Sequence, residues 1–175
     1  MAGEKMKLST KGRYGLRAMI DLAINADGQA ISIKSISERQ SISENYLERI
    51  IALLKKAGYV QSTRGAQGGY TLCQETRDIS VGDILRALEG DLNPVDCTLT
   101  NDNLECSAEN FCVTKFVWKK ISDSINNVVD GISLQDMVDE QLSIQNTYGK
   151  VEEEVNEQAH LSGSCSDNTN GKRST

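Results

Sequence analysis

Three helical stretches in succession, followed by two short β-prone runs around a glycine-rich tip, restrict what this chain can fold into. Residues 9–26 place Tyr14, Leu16, Met19, Ile20, Ala23 and Ile24 at mixed three- and four-residue spacing. That spacing predicts an amphipathic helix ending near Asp27-Gly28. A shorter helix is expected from Ser32 to near Gln40, with Ile33, Ile36 and Ser37 toward a core. After a short turn, Ser43 suits the N-cap of a third helix running through Tyr46, Leu47, Ile50, Ile51, Leu53 and Leu54 to Gly58. Ile42 and Leu47 fall where a hydrophobic staple fixes the entry of the chain. Tyr59 to Arg64 and Tyr70 to Cys73 flank Gly65-Ala66-Gln67-Gly68-Gly69 and predict a hairpin. Ser80 and Asp83 form a capping box that opens a helix through Ile84, Leu85 and Leu88, stopping at Gly90. Helix, helix, helix, hairpin, helix is the layout of a winged helix-turn-helix. The fold class is therefore mainly α with a small β-hairpin.

Residues 91–112 hold the only proline, Pro94, and a polar loop carrying Cys97, Cys106 and Cys112. The helical period returns with Val113, Phe116, Val117, Ile121, Ser124, Ile125 and Val128 on one stripe. Ser133 and Asp136 make a second capping box, starting a short helix through Leu134, Met137 and Val138. From about Thr147 the chain turns acidic and then rich in Ser, Asn and Gly, which predicts a disordered tail.

The net charge of −6 hides an asymmetry. Residues 1–77 hold 12 Lys and Arg against 7 Asp and Glu, whereas residues 78–175 hold 7 against 18. The first half can meet a polyanion and the second cannot. No stretch approaches the roughly 18 apolar residues of a membrane helix. The first residues lack the charged-then-apolar layout of an export signal, so a cytoplasmic protein is expected, with its five cysteines reduced.

In a helix-turn-helix the second helix enters the major groove and offers its N-terminal residues to base edges. Here those residues are Ser43, Glu44, Asn45, Tyr46, Glu48 and Arg49. Arg49 can pair bidentately with guanine, Asn45 with adenine, and Glu48 can accept from cytosine. Taken alone, the same face also suits a solvated core helix. Arg64 at the mouth of the tip, with Gly65, Gly68 and Gly69, suits a wing entering the minor groove. Lys7, Lys11, Arg13, Lys55 and Lys56 add charge for phosphate contact.

At these residues the chain resembles a family of bacterial winged-helix transcription regulators typified by the iron–sulfur cluster regulator IscR and the nitric-oxide sensor NsrR. The resemblance covers about residues 6–142. It rests on Lys7-Leu8-Ser9-Thr10-Lys11-Gly12-Arg13-Tyr14, on Ser43 through Leu47 with Glu48, and on Arg64-Gly65-Ala66-Gln67-Gly68-Gly69-Tyr70. Ile79 through Ile84 and three cysteines followed by Trp118 complete it. The resemblance implies homodimers on near-palindromic operator DNA, with the helix after the cysteine loop crossing its partner. The expected organisation is a DNA-binding domain over 6–90, a cluster-binding loop over 91–112, a dimerisation helix with a following short helix over 113–142, and a tail over 143–175.

The cysteines are spaced Cys97-x8-Cys106-x5-Cys112. Soft thiolates on a loop suit zinc or an iron–sulfur cluster. A structural zinc site usually shows a close cysteine pair and a fourth ligand, and neither is evident here. With the resemblance, the three cysteines are expected to hold an iron–sulfur cluster. IscR-like members carry a histidine three residues after the third cysteine, where this chain has Lys115. NsrR-like members use an acidic residue near the N-terminus of the partner subunit, where this chain offers Arg13 and Tyr14. Asp96, Glu105, a small molecule or solvent stay open as the fourth ligand. The cluster type is open between [2Fe–2S] and [4Fe–4S], the former preferred. Cys73 is expected to pack, and His160 and Cys165 lie in the tail.

The function expected is a repressor of iron–sulfur assembly or cysteine-supply genes. A nitric-oxide or redox sensor and a cluster-free cysteine-metabolism repressor of the same fold are the alternatives. An enzyme is not expected, because no histidine accompanies the cysteines and no phosphate-binding loop or acid–base pair is evident.

Overall fold

The computed structural model describes residues 9–26, 28–65, 68–95 and 112–147. Lys7, Asp96, Cys97, Glu105, Cys106, His160 and Cys165 lie outside the described residues, as do most of the cysteine loop and the tail from 148.

The first helix, α1, spans Thr10–Asn25 and is capped by the Ser9 hydroxyl, which accepts from the Lys11 N–H at 3.0 Å. Helix α2 spans Ile33–Gln40, with the Ser32 hydroxyl accepting from the Ser35 N–H at 3.1 Å. Helix α3 spans Glu44–Lys56. Between α2 and α3, Ser41 takes the left-handed conformation at φ 53°. The Ser37 hydroxyl donates to the Ile42 carbonyl at 2.6 Å, which closes the turn from the α2 side. Ile42 and Leu47 are both buried, as a hydrophobic staple requires. Ser43 occupies the N-cap position, yet its side chain makes no capping hydrogen bond and is exposed.

Strands β1 (Val60–Thr63) and β2 (Gly69–Leu72) pair antiparallel, with Val60 opposite Leu72 and Thr63 opposite Gly69. This wing has a third participant. Ile31 exchanges two backbone hydrogen bonds with Tyr70, at 2.9 and 2.8 Å, from the far side of β2. A Cβ on Gly69 would sit 2.5 Å from the Ile31 carbonyl oxygen, so this close approach requires glycine.

Helix α4 spans Val81–Glu89 and opens on the Ser80–Asp83 capping box. Helix α5 spans Val113–Asp130. A sixth helix, α6, covers 134–147, and the division between the chain's two compact units falls within it, after Val138. The Ser133–Asp136 capping box opens α6, with the Asp136 N–H donating to the Ser133 hydroxyl at 3.1 Å. It runs further than a short helix, because its later residues, including Glu140 and Gln141, are good helix formers without an apolar stripe.

Met19, Leu22, Ile36, Leu47, Ile50, Ile51, Leu54, Ile79 and Ile84 are fully buried in one core between α1, α2, α3 and α4. Each such side chain stabilises the fold by about 1.5–3 kcal/mol relative to exposure. Leu134 joins this core although it lies far beyond α4 in sequence. It is brought back by backbone bonds from the Leu134 N–H to the Ile79 carbonyl and from the Val81 N–H to the Ile132 carbonyl, both 2.8 Å. A smaller cluster of Val81, Leu85 and Leu92 packs against Ile125, Val129 and Met137. Polar bonds reinforce the α4–α5 seam. Arg86 donates to Asn126 at 3.1 Å and pairs with Asp130, and the buried Ser122 donates to Asn93.

Candidate nucleic-acid interface and cysteine loop

Helix α3 buries Leu47, Ile50, Ile51 and Leu54 and so turns Ser43, Glu44, Asn45, Glu48 and Arg49 outward, all exposed. Tyr46 is half-buried instead. Its ring meets that of Tyr14 edge-on, 5.8 Å between centroids at 87°, which ties the first turn of α3 to α1. The guanidinium groups of Arg13 and Arg17 lie 5.8 and 5.7 Å from the Tyr14 ring centre.

At the other end of α3, Lys55 and Lys56 are exposed, and the Lys55 ammonium donates to the Ser62 hydroxyl of β1 at 2.6 Å. Helix α3 and the wing are therefore joined by a side-chain bond. Arg64 and Gly65 are exposed at the tip, Gly65 with φ +123°. The Gly68 N–H donates to the Gly65 carbonyl at 2.9 Å and narrows the tip. Gly69 is held against Ile31, so its side-chain-free Cα serves packing between β2 and the segment before α2.

Lys11 has an internal partner. Its ammonium lies 3.5 Å from Glu89, whose carboxylate also accepts from the Gly12 N–H at 2.8 Å and from the Ser9 hydroxyl. Burial pushes the Glu89 carboxyl up. The Ser9 and Gly12 bonds and the Lys11 charge outweigh this and hold it below the usual carboxylate range.

A second carboxylate, that of the buried Asp21, leaves no mark in the pattern of apolar spacing. Its side chain is 1% exposed and takes a bidentate contact from Arg39, with Nη2 at 2.6 Å and Nε at 3.0 Å. The signal available in the sequence was an acidic residue between Ile20 and Leu22, on the apolar side of α1.

Of the three loop cysteines, Cys112 is described. It occupies the N-cap of α5, with Sγ 3.0 Å from the Thr114 hydroxyl. Hydrogen bonding to Thr114 first, then to the Lys115 N–H, holds this thiol below its ordinary range. That favours the thiolate, the form in which cysteine binds metals. This soft donor fits an iron–sulfur cluster of the kind the resemblance implies. Among the described residues no group of three or more His, Cys, Asp and Glu is placed to hold a metal ion. Cys73 is exposed rather than packed. Its N–H continues the strand pairing by donating to the Tyr59 carbonyl at 3.0 Å, while its side chain faces outward past the end of β2. Among the described residues no helix is long and apolar enough to cross a membrane.

Comparison with known proteins agrees with this architecture. The chain is 41% identical over 133 residues to "Protein rrf2" of Nitratidesulfovibrio vulgaris, covering 76% of this chain and 87% of that protein. The structure of T. potens IscR matches with a TM-score of 0.62 and 51% identity, covering 78% of this chain and 88% of that one. The structure of CymR, the global cysteine regulator of B. subtilis, matches with a TM-score of 0.62 and 40% identity, covering 77% and 97%. These likenesses establish the winged-helix regulator fold and a DNA-binding regulator rather than an enzyme. Residues 8–140 match the Rrf2 family model, described as iron-dependent transcriptional regulator, and the chain belongs to that family.

Proposed function

We propose that this protein is a homodimeric repressor whose operator affinity is set by an iron–sulfur cluster held by Cys97, Cys106 and Cys112. The observation that carries the proposal is the position of Cys112. It is the residue from which α5 starts, and α5 packs on α4 of the winged helix through Ile125, Val129, Asn126 and Asp130. A cluster held by these cysteines therefore acts at one end of a helix whose other end is bonded to the DNA-reading domain.

The same helix supports the dimer. Val113, Phe116 and Val128 are 82%, 64% and 61% exposed, an apolar stripe that one copy leaves uncovered. A second copy laid along it sets the distance between two recognition helices. Half-sites must be spaced to match the helical turn of DNA, so a small shift of α5 changes operator affinity. Glu44, Asn45, Glu48 and Arg49 read bases, Arg64 and Gly65 enter the minor groove, and Lys7, Arg13, Lys55 and Lys56 meet phosphates. The bound cluster supplies a labile, redox-active group. The genes controlled are those of cluster assembly or cysteine supply, and the protein acts in the cytoplasm.

Likeness to CymR favours a second reading, a cysteine regulator of the same fold that needs no cluster. Anaerobic purification of wild type and Cys106→Ser separates the two. The first reading expects brown protein with iron and acid-labile sulfide, bleached in the variant, and operator affinity that differs between loaded and cluster-free protein. Mössbauer spectra then decide between [2Fe–2S], the preferred type, and [4Fe–4S]. Colourless wild type after reconstitution would favour the second. Rates of cluster loss with nitric oxide and with oxygen identify the signal.

A further inference from the structure

Beneath the turn that leads into α3 lies a polar chain that the fold alone does not require. Asp21 receives Arg39 on both oxygens and the Gln40 amide on Oδ2 at 2.9 Å. The Gln40 side-chain oxygen in turn accepts from Arg17 Nε at 3.0 Å. Arg17 Nη2 donates to the Gln40 backbone carbonyl at 2.6 Å, satisfying a carbonyl that the end of α2 leaves without a helical partner. The Arg17 guanidinium also lies over Tyr14, whose ring meets Tyr46 in the first turn of α3. The chain from Asp21 to Tyr46 thus grips both sides of the Ser41–Ser43 turn.

Buried ion pairs are weak contributors to stability, since apolar replacements of similar volume are often neutral or stabilising. The apolar core around Met19, Leu22, Ile36 and Leu47 already supplies burial here. Base-edge hydrogen bonds, by contrast, need side chains placed within about 0.5 Å. Phosphate attraction is long-ranged and tolerates small rotations of a helix. We infer that Asp21, Gln40 and Arg17 are positioning residues for sequence discrimination, holding the end of α2 and the start of α3 at the angle that base readout needs. The inference rests on α3 being the helix that reads the operator.

The test measures binding of the full chain to two duplexes by fluorescence anisotropy at several salt concentrations. One duplex is selected by the wild-type protein from a random pool, and the other is its scrambled sequence. Asp21→Asn removes the charge at the buried end. Arg17→Lys keeps the charge at the exposed end and removes the forked contact, so its folding is not at stake. Both variants should lower the ratio of the two affinities about tenfold, the size of one good base contact. The slope of affinity against salt should stay unchanged, because phosphate contacts persist. An equal fall on both duplexes would mean a structural role only and overturn the inference. So would an unchanged ratio in both variants while Arg49→Ala loses it. A ratio that survives Arg49→Ala as well would overturn the recognition-helix reading together with the inference.

Discussion

Replacing Gly69 by alanine should damage this protein where β2 meets Ile31, and more than the same change at the exposed turn. The added Cβ would stand 2.5 Å from the Ile31 carbonyl oxygen and 2.6 Å from its carbon, both backbone atoms that cannot rotate away. Relief requires β2 and Ile31 to part, which stretches the two Ile31–Tyr70 bonds now at 2.9 and 2.8 Å. Losing both costs about 1–3 kcal/mol, at roughly 0.5–1.5 each. Residual overpacking adds about 1–3 kcal/mol. Lower entropy of the unfolded alanine chain returns about 0.5 kcal/mol. The net is about 3 kcal/mol, or a fall of about 10 °C in melting temperature for a chain of this size. Gly65→Ala provides the internal comparison. Nothing lies within 4 Å of that position, so only its φ of +123° penalises the alanine, by about 1–2 kcal/mol. Thermal melts of both variants, with urea titrations to confirm an unchanged m-value, decide the matter. A Gly69→Ala protein melting within about 2 °C of wild type would refute the reasoning. So would a larger loss at Gly65 than at Gly69.

Two further outcomes follow from the same structure. Glu89→Gln should lower the melting temperature at neutral pH. The depressed Glu89 carboxyl contributes stability above its unfolded pKa of about 4.3 and loses it as pH falls through the lower folded value. Melts from pH 7 to pH 3 should therefore show wild type converging on the variant, and a gap that stays constant would rule the linkage out. Phe116→Glu, placed in the uncovered stripe of α5 where Phe116 is 64% exposed, should convert a dimer into a monomer of unchanged helicity. Light scattering coupled to size exclusion reads this directly, and a persistent dimer would assign the subunit interface elsewhere.

Much of the fold is legible in local spacing, because its devices are local. The Ser80–Asp83 and Ser133–Asp136 boxes and the Ile42–Leu47 staple each involve residues three to five apart, and all three are present. The hairpin follows from its glycines in the same way. What local spacing does not encode is contact between elements. Asp21 meets Arg39 from another helix, and Lys11 meets Glu89 across α1 and α4. No periodicity records either pairing. Cys73, at the end of the wing strand, is expected to pack, yet the strand ends one residue before it and the thiol is exposed. Ser43 has the residue type of a cap, but its side chain makes no capping bond, while the Ser37 hydroxyl holds the turn from the α2 side. Of the candidate cluster ligands, only Cys112 falls among the described residues.

The return of residues 132–134 to pair beside residues 79–81 has a consequence for how the molecule is made. Leu134 is fully buried in the same core as α1, α2, α3 and α4, and its N–H is bonded to Ile79. Chains emerge from the ribosome N-terminus first, at about 5–20 residues per second. A nascent chain that has exposed everything through α4 still lacks the residue that closes its core. The helix-turn-helix therefore cannot reach its final packing until the cysteine loop and α5 have also been synthesised. No interval exists during translation in which a finished DNA reader stands without the segment that follows it.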